Sequence, residues 1–446
     1  MKRIVFFSLI FSSLYITGQT KWSLDSCISY AKKKNVLVQK QRLENLKLDS
    51  DLKLSKFSYF PEVTFSGTQG YNLGNSFNVS TSVGQRSSRF NSFDLSARVD
   101  LFNGLKKKYD KEKAEINKKN GDIEIDIIHF DISLEIIDKY SKALFSREAL
   151  KAAEEQEKIS KRELERLERL FSEKLVSKKE ILEIEAAYFS DLKEVINAKN
   201  DFKVNLSELK GILDVVDIEN FDIEDIDSEI NPILGMPFLP VNLDKEELVK
   251  SNPYLLSSRL SVEKIQKEIS SYKSEFLPSL SFAYSLNTSY FKIIGEDDII
   301  FNPISGLFEE NGFFTQLSNN QTNLLLFSLN VPIFRKYQNK NNLDKSRINL
   351  KLAEIDFKNK TKELINTVDM AINSLLSYQK ALEIATSAYD LQQEAFTISQ
   401  KKYEEGLISN HKFLDSKSSL LRSRLEYIQT KFTYIFHQKI TKLYFQ

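Results

Sequence analysis

Two periodicities in the pattern of apolar and polar residues predict the elements of the chain. Apolar and polar residues alternate along four stretches, and a period of two predicts β-strands. The stretches lie at about 62–72, 92–102, 279–291 and 322–334. Elsewhere apolar residues recur at intervals of three and four, as at Ile128, Ile132 and Ile136, which indicates a narrow helical stripe. No glycine or proline occurs between Gly121 and Gly211, so long unbroken helices are expected.

The same order of elements occurs twice along the chain. FSEKLVSKKEIL, which begins at Phe171, resembles YEEGLISNHKFL, which begins at Tyr403. VDLF at Val99 likewise resembles VPIF at Val331, and both pairs are 232 residues apart. The distance between the two landmarks is therefore the same in both halves, without an insertion in either. We interpret the chain as an internal tandem duplication, which has to be recognised before a fold is assigned.

The duplication and the ends of the periodic stretches give the expected domain plan. Lys2 and Arg3 precede a short apolar run, as in a secretory signal peptide, which we place at residues 1–18. The first repeat, 19–230, is expected to contain a helix, two strands, a long helix, a turn, a helix and an acidic linker. Its last four parts are expected at about 103–171, 172–177, 178–213 and 214–240. The second repeat, 241–446, has the same order, with its long helix, turn and last helix at about 335–403, 404–409 and 410–445.

Charge and composition argue against several classes of function. Lys and Arg number 63 and Asp and Glu number 62, which gives no indication of a nucleic-acid-binding surface. None of His129, His411 and His437 has a partner at metal-ligand spacing. The acidic stretch 217–229 lacks the interior glycine and ligand spacing of a calcium loop, so a solvated linker is expected. Without a phosphate-binding glycine loop or a nucleophile elbow, we expect no enzyme activity and no cofactor.

The four strands have the length of membrane-spanning strands. Each covers about ten residues, which is enough to cross a bilayer at a tilt. Aromatic residues such as Phe60, Phe102 and Phe334 lie near the strand ends, as in an interfacial girdle. The loops between paired strands, 73–91 and about 292–321, are long and polar. An ordinary half-buried sheet is the alternative interpretation.

Four strands cannot close a barrel by themselves. Unpaired backbone groups at an open edge cost several kcal/mol each in lipid, so several copies would have to pool their strands. Three copies give twelve strands, which enclose more space than side chains fill. The inner face would carry Ser, Thr, Asn, Asp and Arg, which suits water. The long helices, which leave the same end of the strands, would continue the wall.

The chain resembles the outer membrane efflux protein family, the TolC-like channel-tunnels. The resemblance rests on the duplicated order of elements and on WSLDSCISYAKKKN at Trp22 followed by SYFPEVTFSG at Ser58. It also rests on YEEGLISNHKFLD at Tyr403, which is similar to the family's aromatic-x-x-Gly-Leu turn before a Leu-Asp helix. The resemblance covers the whole expected mature chain.

This resemblance implies a mixed α and β membrane protein. It would be a trimeric 12-stranded outer-membrane β-barrel with four strands per chain, continued by a long α-helical coiled-coil tunnel in the periplasm of a Gram-negative bacterium. The implied partners are a periplasmic adaptor (membrane fusion) protein, an inner-membrane pump of RND or ABC type and outer-membrane lipid, with no nucleic acid. The expected function is a passive exit duct of a tripartite efflux or type I secretion system, opened at its helical end. The alternative is an exported coiled-coil scaffold or adhesin without a pore.

In such a duct the two similar segments would be the periplasmic tips of two helical hairpins. The expected adaptor-docking residues are the apolar and capping residues of both turns: Lys174, Leu175, Val176, Ser177, Gly406, Leu407, Ile408 and Ser409. Ser177 and Glu180 have the spacing of a capping box. Gly406 suits a left-handed helix C-cap, and Lys174 occupies the matching position. The apolar residues are either exposed to a partner or packed across the hairpin, and both alternatives stay open.

The resemblance also implies a gate just inside the tip, where the family carries two acidic residues three apart. The matching positions are Lys412 and Asp415, with Glu180 and Glu183 in the first repeat. Lys412 departs from the acidic pattern. If Lys412 and Asp415 both faced the lumen, they would pair between copies and close the end. The alternative for all four residues is that they lie on a solvated helix surface. Glu180 can also be engaged in the capping box, which would weaken its role in the lumen.

Overall fold

The computed structural model describes residues 21–74, 76–78, 83–85, 87–215, 221–225 and 251–445. The expected signal peptide lies outside the described residues, as does most of the expected acidic linker. The chain divides into two compact units. The helical unit comprises the described residues of Met1–Leu43, Ile123–Leu256 and Asn359–Gln446, and the sheet unit comprises those of Glu44–Asp122 and Ser257–Lys358.

The described residues form the following elements. The strands are β1 (Lys21–Trp22), β2 (Glu62–Asn72), β3 (Ser76–Asn78), β4 (Val83–Gln85), β5 (Ser88–Asn103), β6 (Asp222–Ile223), β7 (Ser279–Ile293), β8 (Ile299–Asn302), β9 (Leu307–Glu310) and β10 (Thr322–Asn330). The helices are α1 (Leu24–Lys34), α2 (Val36–Phe57), α3 (Lys106–Ser172), α4 (Lys178–Leu213), α5 (Pro253–Ser274), α6 (Phe313–Asn319), α7 (Gln338–Glu404) and α8 (Asn410–Tyr444).

The sheet unit is built on four antiparallel strands in the order β10-β7-β5-β2. In the β2–β5 pair, Glu62 lies opposite Arg98 and Asn72 lies opposite Ser88. The central β5–β7 pair joins the first repeat to the second within one sheet. All four strands meet their helices at the same end, because α2 and α5 precede β2 and β7 while α3 and α7 follow β5 and β10.

The alternation of residue types gives this sheet two different faces. One face is mainly polar, with Thr64 opposite Ser96 on the neighbouring strand. Leu324 and Leu326 interrupt the polar face on β10. The opposite face is apolar, and its residues are largely exposed in the single chain: Val63 (63%), Phe65 (70%), Leu325 (65%), Phe327 (65%) and Leu329 (69%). Among the described residues, only α6 packs on this face, where Phe313 contacts Phe93 and Tyr290 near one end of the sheet, and the residues given above are left uncovered.

Several elements differ from their expected bounds. β10 ends at Asn330, before the expected 334, and Pro332 follows without an N–H group to donate. β5 begins at Ser88 rather than 92 and continues the β2 pairing to Asn72. The helix expected before the first strand is divided at Asn35 into α1 and α2. Asn35 has a φ of −58° and a ψ of 137°, which are not helical, and its side chain accepts a hydrogen bond from the Leu37 N–H at 2.8 Å.

The junctions between strands and long helices repeat the same backbone geometry. Gly104 and Leu105 have φ of 67° and 71°, and Lys336 and Tyr337, at the matching positions of the second repeat, have φ of 45° and 67°. A Cβ on Gly104 would lie 2.3 Å from the Ser274 carbonyl oxygen, so this position requires glycine. These left-handed residues explain why α3 and α7 begin three residues later than expected.

The core of the helical unit packs α1, α3, α4 and α8 together. Tyr140 is 1% exposed, and Ile136, Leu209 and Ile435 are buried beside it, which confirms the helical stripe expected on α3. The Tyr140 hydroxyl lies 2.9 Å from the Trp22 carbonyl oxygen and 3.0 Å from that of Glu224, so it holds the parallel β1–β6 pair against α3. None of the helices in the described part of the chain is both long and apolar enough to cross a membrane.

Candidate functional site

Both hairpin tips use the same type of helix ending. In the first tip Lys174 has φ of 62°, and the Leu175 N–H donates to the Leu170 carbonyl at 2.9 Å. In the second tip Gly406 has φ of 74°, and the Leu407 N–H donates to the Lys402 carbonyl at 2.8 Å. This six-to-one bond with a left-handed residue before it is a Schellman motif. Lys174 thus adopts the glycine-like conformation that the sequence comparison of the tips predicts.

The two tips differ in how the next helix begins. Ser177 accepts a hydrogen bond from the Glu180 N–H at 3.3 Å, and its own N–H donates to the Glu180 carboxylate at 2.7 Å, which completes the expected capping box. The same bond holds the pKa of Glu180 below its ordinary value. Ser409 occupies the equivalent position of α8, but its side chain makes no capping hydrogen bond. The second tip therefore has the weaker cap.

The four apolar residues at the tips divide into two pairs. Leu175 and Leu407 are 67% and 68% exposed. Val176 and Ile408 instead pack on an apolar cluster, the tip cluster, which is defined by its buried residues Leu167, Ile181, Ile184, Phe396, Tyr403 and Phe413. Packing across the hairpin therefore describes Val176 and Ile408, while Leu175 and Leu407 are exposed in the single chain and their role as a partner site stays a prediction. The leucines remain available to a partner, and their neighbours fix the turns.

The tip cluster contains residues of both repeats, so the two tips lie side by side within the helical unit. The Asn410 amide donates to the Glu183 carboxylate at 3.0 Å and lies 3.3 Å from the Tyr403 hydroxyl. Arg166 donates to the Glu404 carbonyl at 2.8 Å, and its guanidinium group lies 5.3 Å from the centre of the Tyr403 ring. Burial raises the pKa of Tyr403 to about 12, so it stays a neutral hydrogen-bonding group.

The four gate candidates occupy different environments. Glu180 is engaged in the capping box, and Glu183 lies between Asn410 and Lys179, whose Nζ is 3.6 Å away. Asp415 is exposed and lies 2.9 Å from the His411 imidazole on the same helix. Lys412 is exposed, and no hydrogen bond or ion pair involves it within the described chain. Within one chain, the structure thus brings only Glu183 into contact with the opposite tip.

A buried ion pair lies farther from the tip and was missed by sequence reasoning. Lys417 on α8 is 3% exposed, and its ammonium group donates to Asp191 on α4 and to Ser160 on α3. Gln156 donates to the Lys417 carbonyl at 3.0 Å. Desolvation lowers the pKa of Lys417, while Asp191 opposes that change. The available signal was a lysine four residues after the buried Phe413, on the apolar stripe of the helix.

Part of the second repeat matches a known protein-family model. Residues 246–435 match the family model described as Outer membrane efflux protein. These residues are therefore similar to an outer membrane efflux protein domain. The matched range lies within the second repeat and contains Gly406, Leu407, Ile408, Ser409, Lys412 and Asp415, and it confirms the resemblance found in the sequence. A search of curated protein sequences gives no match.

Solved structures agree with the fold of an outer membrane efflux protein. The structure of CusC, described through its transmembrane channel formation, has a TM-score of 0.79 at 15% identity over 94% of this chain and 91% of that one. The Campylobacter jejuni outer membrane channel CmeC has a TM-score of 0.74 at 16% identity over 94% and 85%. The Vibrio cholerae outer membrane protein VceC has a TM-score of 0.73 at 11% identity over 94% and 95%. These likenesses confirm the mixed α and β fold with four sheet strands per chain.

Proposed function

We propose that this protein belongs to the outer membrane efflux protein family and is a passive exit duct through the outer membrane of a Gram-negative bacterium. The observation that carries the proposal is the four-stranded sheet, which has an exposed apolar face, a mainly polar face and two edges that pair with no other described strand. An apolar face of this kind suits lipid, and the polar face suits a water-filled lumen. β2 and β10 are the two edges, and their backbone groups need partners in a membrane.

Pairing of β2 on one copy with β10 on the next satisfies both edges and closes a barrel. Three copies supply twelve strands, and a barrel of twelve strands is too wide for side chains to fill its lumen. The long helices begin at the same end of all four strands, so in this trimer they extend the wall into the periplasm. The support for a trimer is this geometric requirement together with the fold shared with the channel structures.

Exposed apolar stripes on two helices also support association of several copies. On α4, Leu182, Phe189 and Ile196 are spaced seven residues apart and are 50%, 58% and 63% exposed. On α7, Ile384, Leu391 and Ile398 have the same spacing and are 70%, 68% and 48% exposed. A seven-residue apolar repeat is the spacing that packs helices as coiled coils. Helices of neighbouring copies would bury these stripes in the tunnel wall.

The tips supply the gate and the docking surface of the proposed duct. The exposed Leu175 and Leu407, held by Val176 and Ile408 below them, would receive a periplasmic adaptor that is coupled to an inner-membrane pump of RND or ABC type. Lys412 and Asp415 are exposed and remain available to neighbouring copies. Adaptor binding would then open the helical end for efflux or for type I secretion, with no energy source in the duct itself.

Planar-bilayer conductance of the detergent-extracted protein tests the proposal. We expect a channel whose conductance increases when Lys412→Ala and Asp415→Ala are combined, because the pair would no longer hold the end closed. Absence of any channel in both forms would overturn the duct. A protein that is soluble and monodisperse without detergent would instead support the exported scaffold or adhesin.

A further inference from the structure

The long loop between β7 and β10 contains a structured apolar hairpin at the end of the sheet opposite the helices. β8 and β9 pair antiparallel, with Ile299 opposite Glu310 and Phe301 opposite Phe308. The Phe301 and Phe308 rings pack edge to face with their centres 5.5 Å apart. We call β8, β9 and the turn between them the β8–β9 hairpin.

Large apolar side chains of the β8–β9 hairpin are exposed. Phe301 is 51% exposed, Phe308 is 70% exposed and Leu307 is 66% exposed. Ile304 at the turn is 96% exposed. Side chains alternate along a strand, so Ile299 (55% exposed), Phe301 and Phe308 share one face of the hairpin and Leu307 lies on the other. Scattered apolar residues on a protein surface need no explanation, but three that share one face of a short hairpin form a patch. Patches of this kind mark interaction sites.

A buried glutamine on α6 connects the two ends of the β8–β9 hairpin to β7. Gln316 on α6 is 6% exposed, and the two N–H groups of its amide are shared among three acceptors at 2.9–3.0 Å, which are the Phe291 carbonyl, the Asp298 carboxylate and the Asn311 carbonyl. Its amide oxygen accepts from the Phe291 N–H at 3.0 Å. Asp298 and Asn311 directly flank the hairpin, so these bonds fix both of its ends to β7.

The turn of the hairpin is ordered in the same way. The Asn302 side chain accepts from the Ile304 N–H at 2.9 Å and donates to Glu309 at 2.8 Å, and Gly306 has φ of 69°. An exposed apolar surface on a fixed backbone needs little further ordering when it binds, which favours binding. The hairpin is therefore preorganised to present its aromatic pair.

Charge decides which occupant fits this patch. The segment 294–321 carries five acidic residues and no basic residue: Glu296, Asp297, Asp298, Glu309 and Glu310. Self-association through the hairpin would bring several of these acids together, and like charges juxtaposed at an interface cost several kcal/mol. Anionic lipid would be repelled for the same reason. A partner with basic residues around an apolar centre is complementary both to the apolar patch and to the negative charge around it.

We propose that the β8–β9 hairpin is a docking surface for a protein segment that is apolar and basic. In the proposed duct this end of the sheet faces the exterior of the cell, so the partner would bind there and not at the adaptor end. Phe301 and Phe308 would form the apolar centre of the contact, and Asp297 and Glu310, both exposed, would meet the basic residues.

Binding of a short peptide of alternating lysine and leucine to the full-length assembled protein in detergent tests this proposal, with empty micelles as background. We expect saturable binding that weakens as salt is added. Phe301→Ser with Phe308→Ser should weaken it at least tenfold, and Asp297→Asn with Glu310→Gln should weaken it and remove most of the salt dependence. Leu73→Ser, which changes an 80% exposed leucine on another loop of the sheet unit, should have no effect.

Retained conductance shows that each variant is assembled, so a failed fold is distinguished from a lost contact. Equal peptide affinity in the wild type and the phenylalanine variant, or no saturable binding at all, would overturn the proposal. So would association of assembled wild-type particles that the phenylalanine variant abolishes, because a second copy would then occupy the hairpin. Binding to anionic phosphatidylglycerol vesicles in preference to the peptide would assign the patch to lipid. None of these outcomes bears on the duct, which conductance tests separately.

Discussion

Lys417 and Asp191 form a buried ion pair that joins the last helix of the second repeat to the last helix of the first. The Lys417 side chain is 4% exposed and that of Asp191 is 18% exposed, and Ser160 on α3 contacts both. Three helices of both hairpins therefore meet at one buried, charged contact. A buried charge that loses its partner is costly, so removing either residue of this contact should reduce stability.

Replacing Lys417 by alanine is expected to destabilise the helical unit by about 3 kcal/mol, because Asp191 would keep a partly buried charge with only Ser160 beside it. Lys417→Met combined with Asp191→Leu should cost less than the single Lys417→Ala change, since no unpaired charge remains. Denaturant unfolding in detergent, followed by far-ultraviolet circular dichroism, measures both. Lys412→Ala on the same helix is the control and should change stability by less than about 0.5 kcal/mol. Equal losses for Lys417 and Lys412 would contradict a structural role for the pair.

The unequal caps of the two tips predict unequal responses to the same substitution. Ser177→Ala removes a side chain that caps α4 and is expected to cost about 1 kcal/mol of local stability. Ser409→Ala changes a residue whose side chain makes no cap hydrogen bond, so it should cost only a few tenths of that. Hydrogen exchange of the first-turn amides of α4 and α8 measures each effect. Loss of protection of the same size at both tips would contradict the difference in capping.

Acidification is expected to loosen the first tip through Glu180. Its folded-state pKa is lowered from the ordinary value of 4.5, first by the Ser177 N–H and then by the Ser177 hydroxyl. The capping contribution is therefore complete above pH 4.5 and is lost as the pH falls through the lowered folded-state value. Protease cleavage within 172–177, measured against pH, reports the loss. Glu180→Gln keeps an acceptor for the Ser177 N–H and should remove this pH dependence, and an unchanged profile in that variant would assign the effect to other groups.

Local contacts of the site could be predicted from the sequence, and distant ones could not. The Ser177–Glu180 capping box and the left-handed Lys174 and Gly406 depend on residues within one turn, so spacing alone indicated them. The Asn410–Glu183 hydrogen bond joins residues 227 apart, and the Lys417–Asp191 contact joins residues 226 apart. Such pairs depend on how four long helices pack against one another. The apolar stripes show which faces meet, but they do not fix how far one helix is shifted along its neighbour.

The same distinction applies to the sheet. Alternation predicted four strands and their two faces because period two is local. The central β5–β7 pair was not predicted, because its two strands belong to different repeats and no short turn between them sets their register. The loop 292–321 was expected to be long and polar, which was wrong, because it contains the apolar β8–β9 hairpin. Its structure was missed because Gln316 organises it through contacts with β7 that are not local in sequence.

The matched left-handed positions of the two tips predict opposite effects. Lys174 has φ of 62°, a conformation that costs a non-glycine residue about 1 kcal/mol, so Lys174→Gly should stabilise the first tip by up to that amount. Gly406 has φ of 74°, and no atom lies within 4 Å of a Cβ placed on it. Gly406→Ala should therefore destabilise the second tip by about 1 kcal/mol through backbone strain alone. Thermal unfolding of the purified protein measures both, and changes of the same sign would contradict the shared geometry.

Neighbouring residues on β10 provide a test of which face of the sheet contacts lipid. Phe327 lies on the apolar face and is 65% exposed in the single chain, whereas Ser328 lies on the mainly polar face opposite Ser281. In a membrane barrel, Phe327→Arg places a charge in hydrocarbon and is expected to cost about 2–4 kcal/mol near the bilayer midplane. Ser328→Arg places the same charge in the aqueous lumen and should be tolerated.

The amount of assembled protein recovered from outer-membrane fractions, relative to total expression, measures the difference. We expect a severalfold loss for Phe327→Arg and near wild-type recovery for Ser328→Arg, since only the first substitution opposes insertion. Ser328→Arg should also alter the ion selectivity of the channel, because its guanidinium group would line the lumen. A reversed order of recovery would place the apolar face of the sheet inside the assembly and would rule out the barrel orientation proposed above.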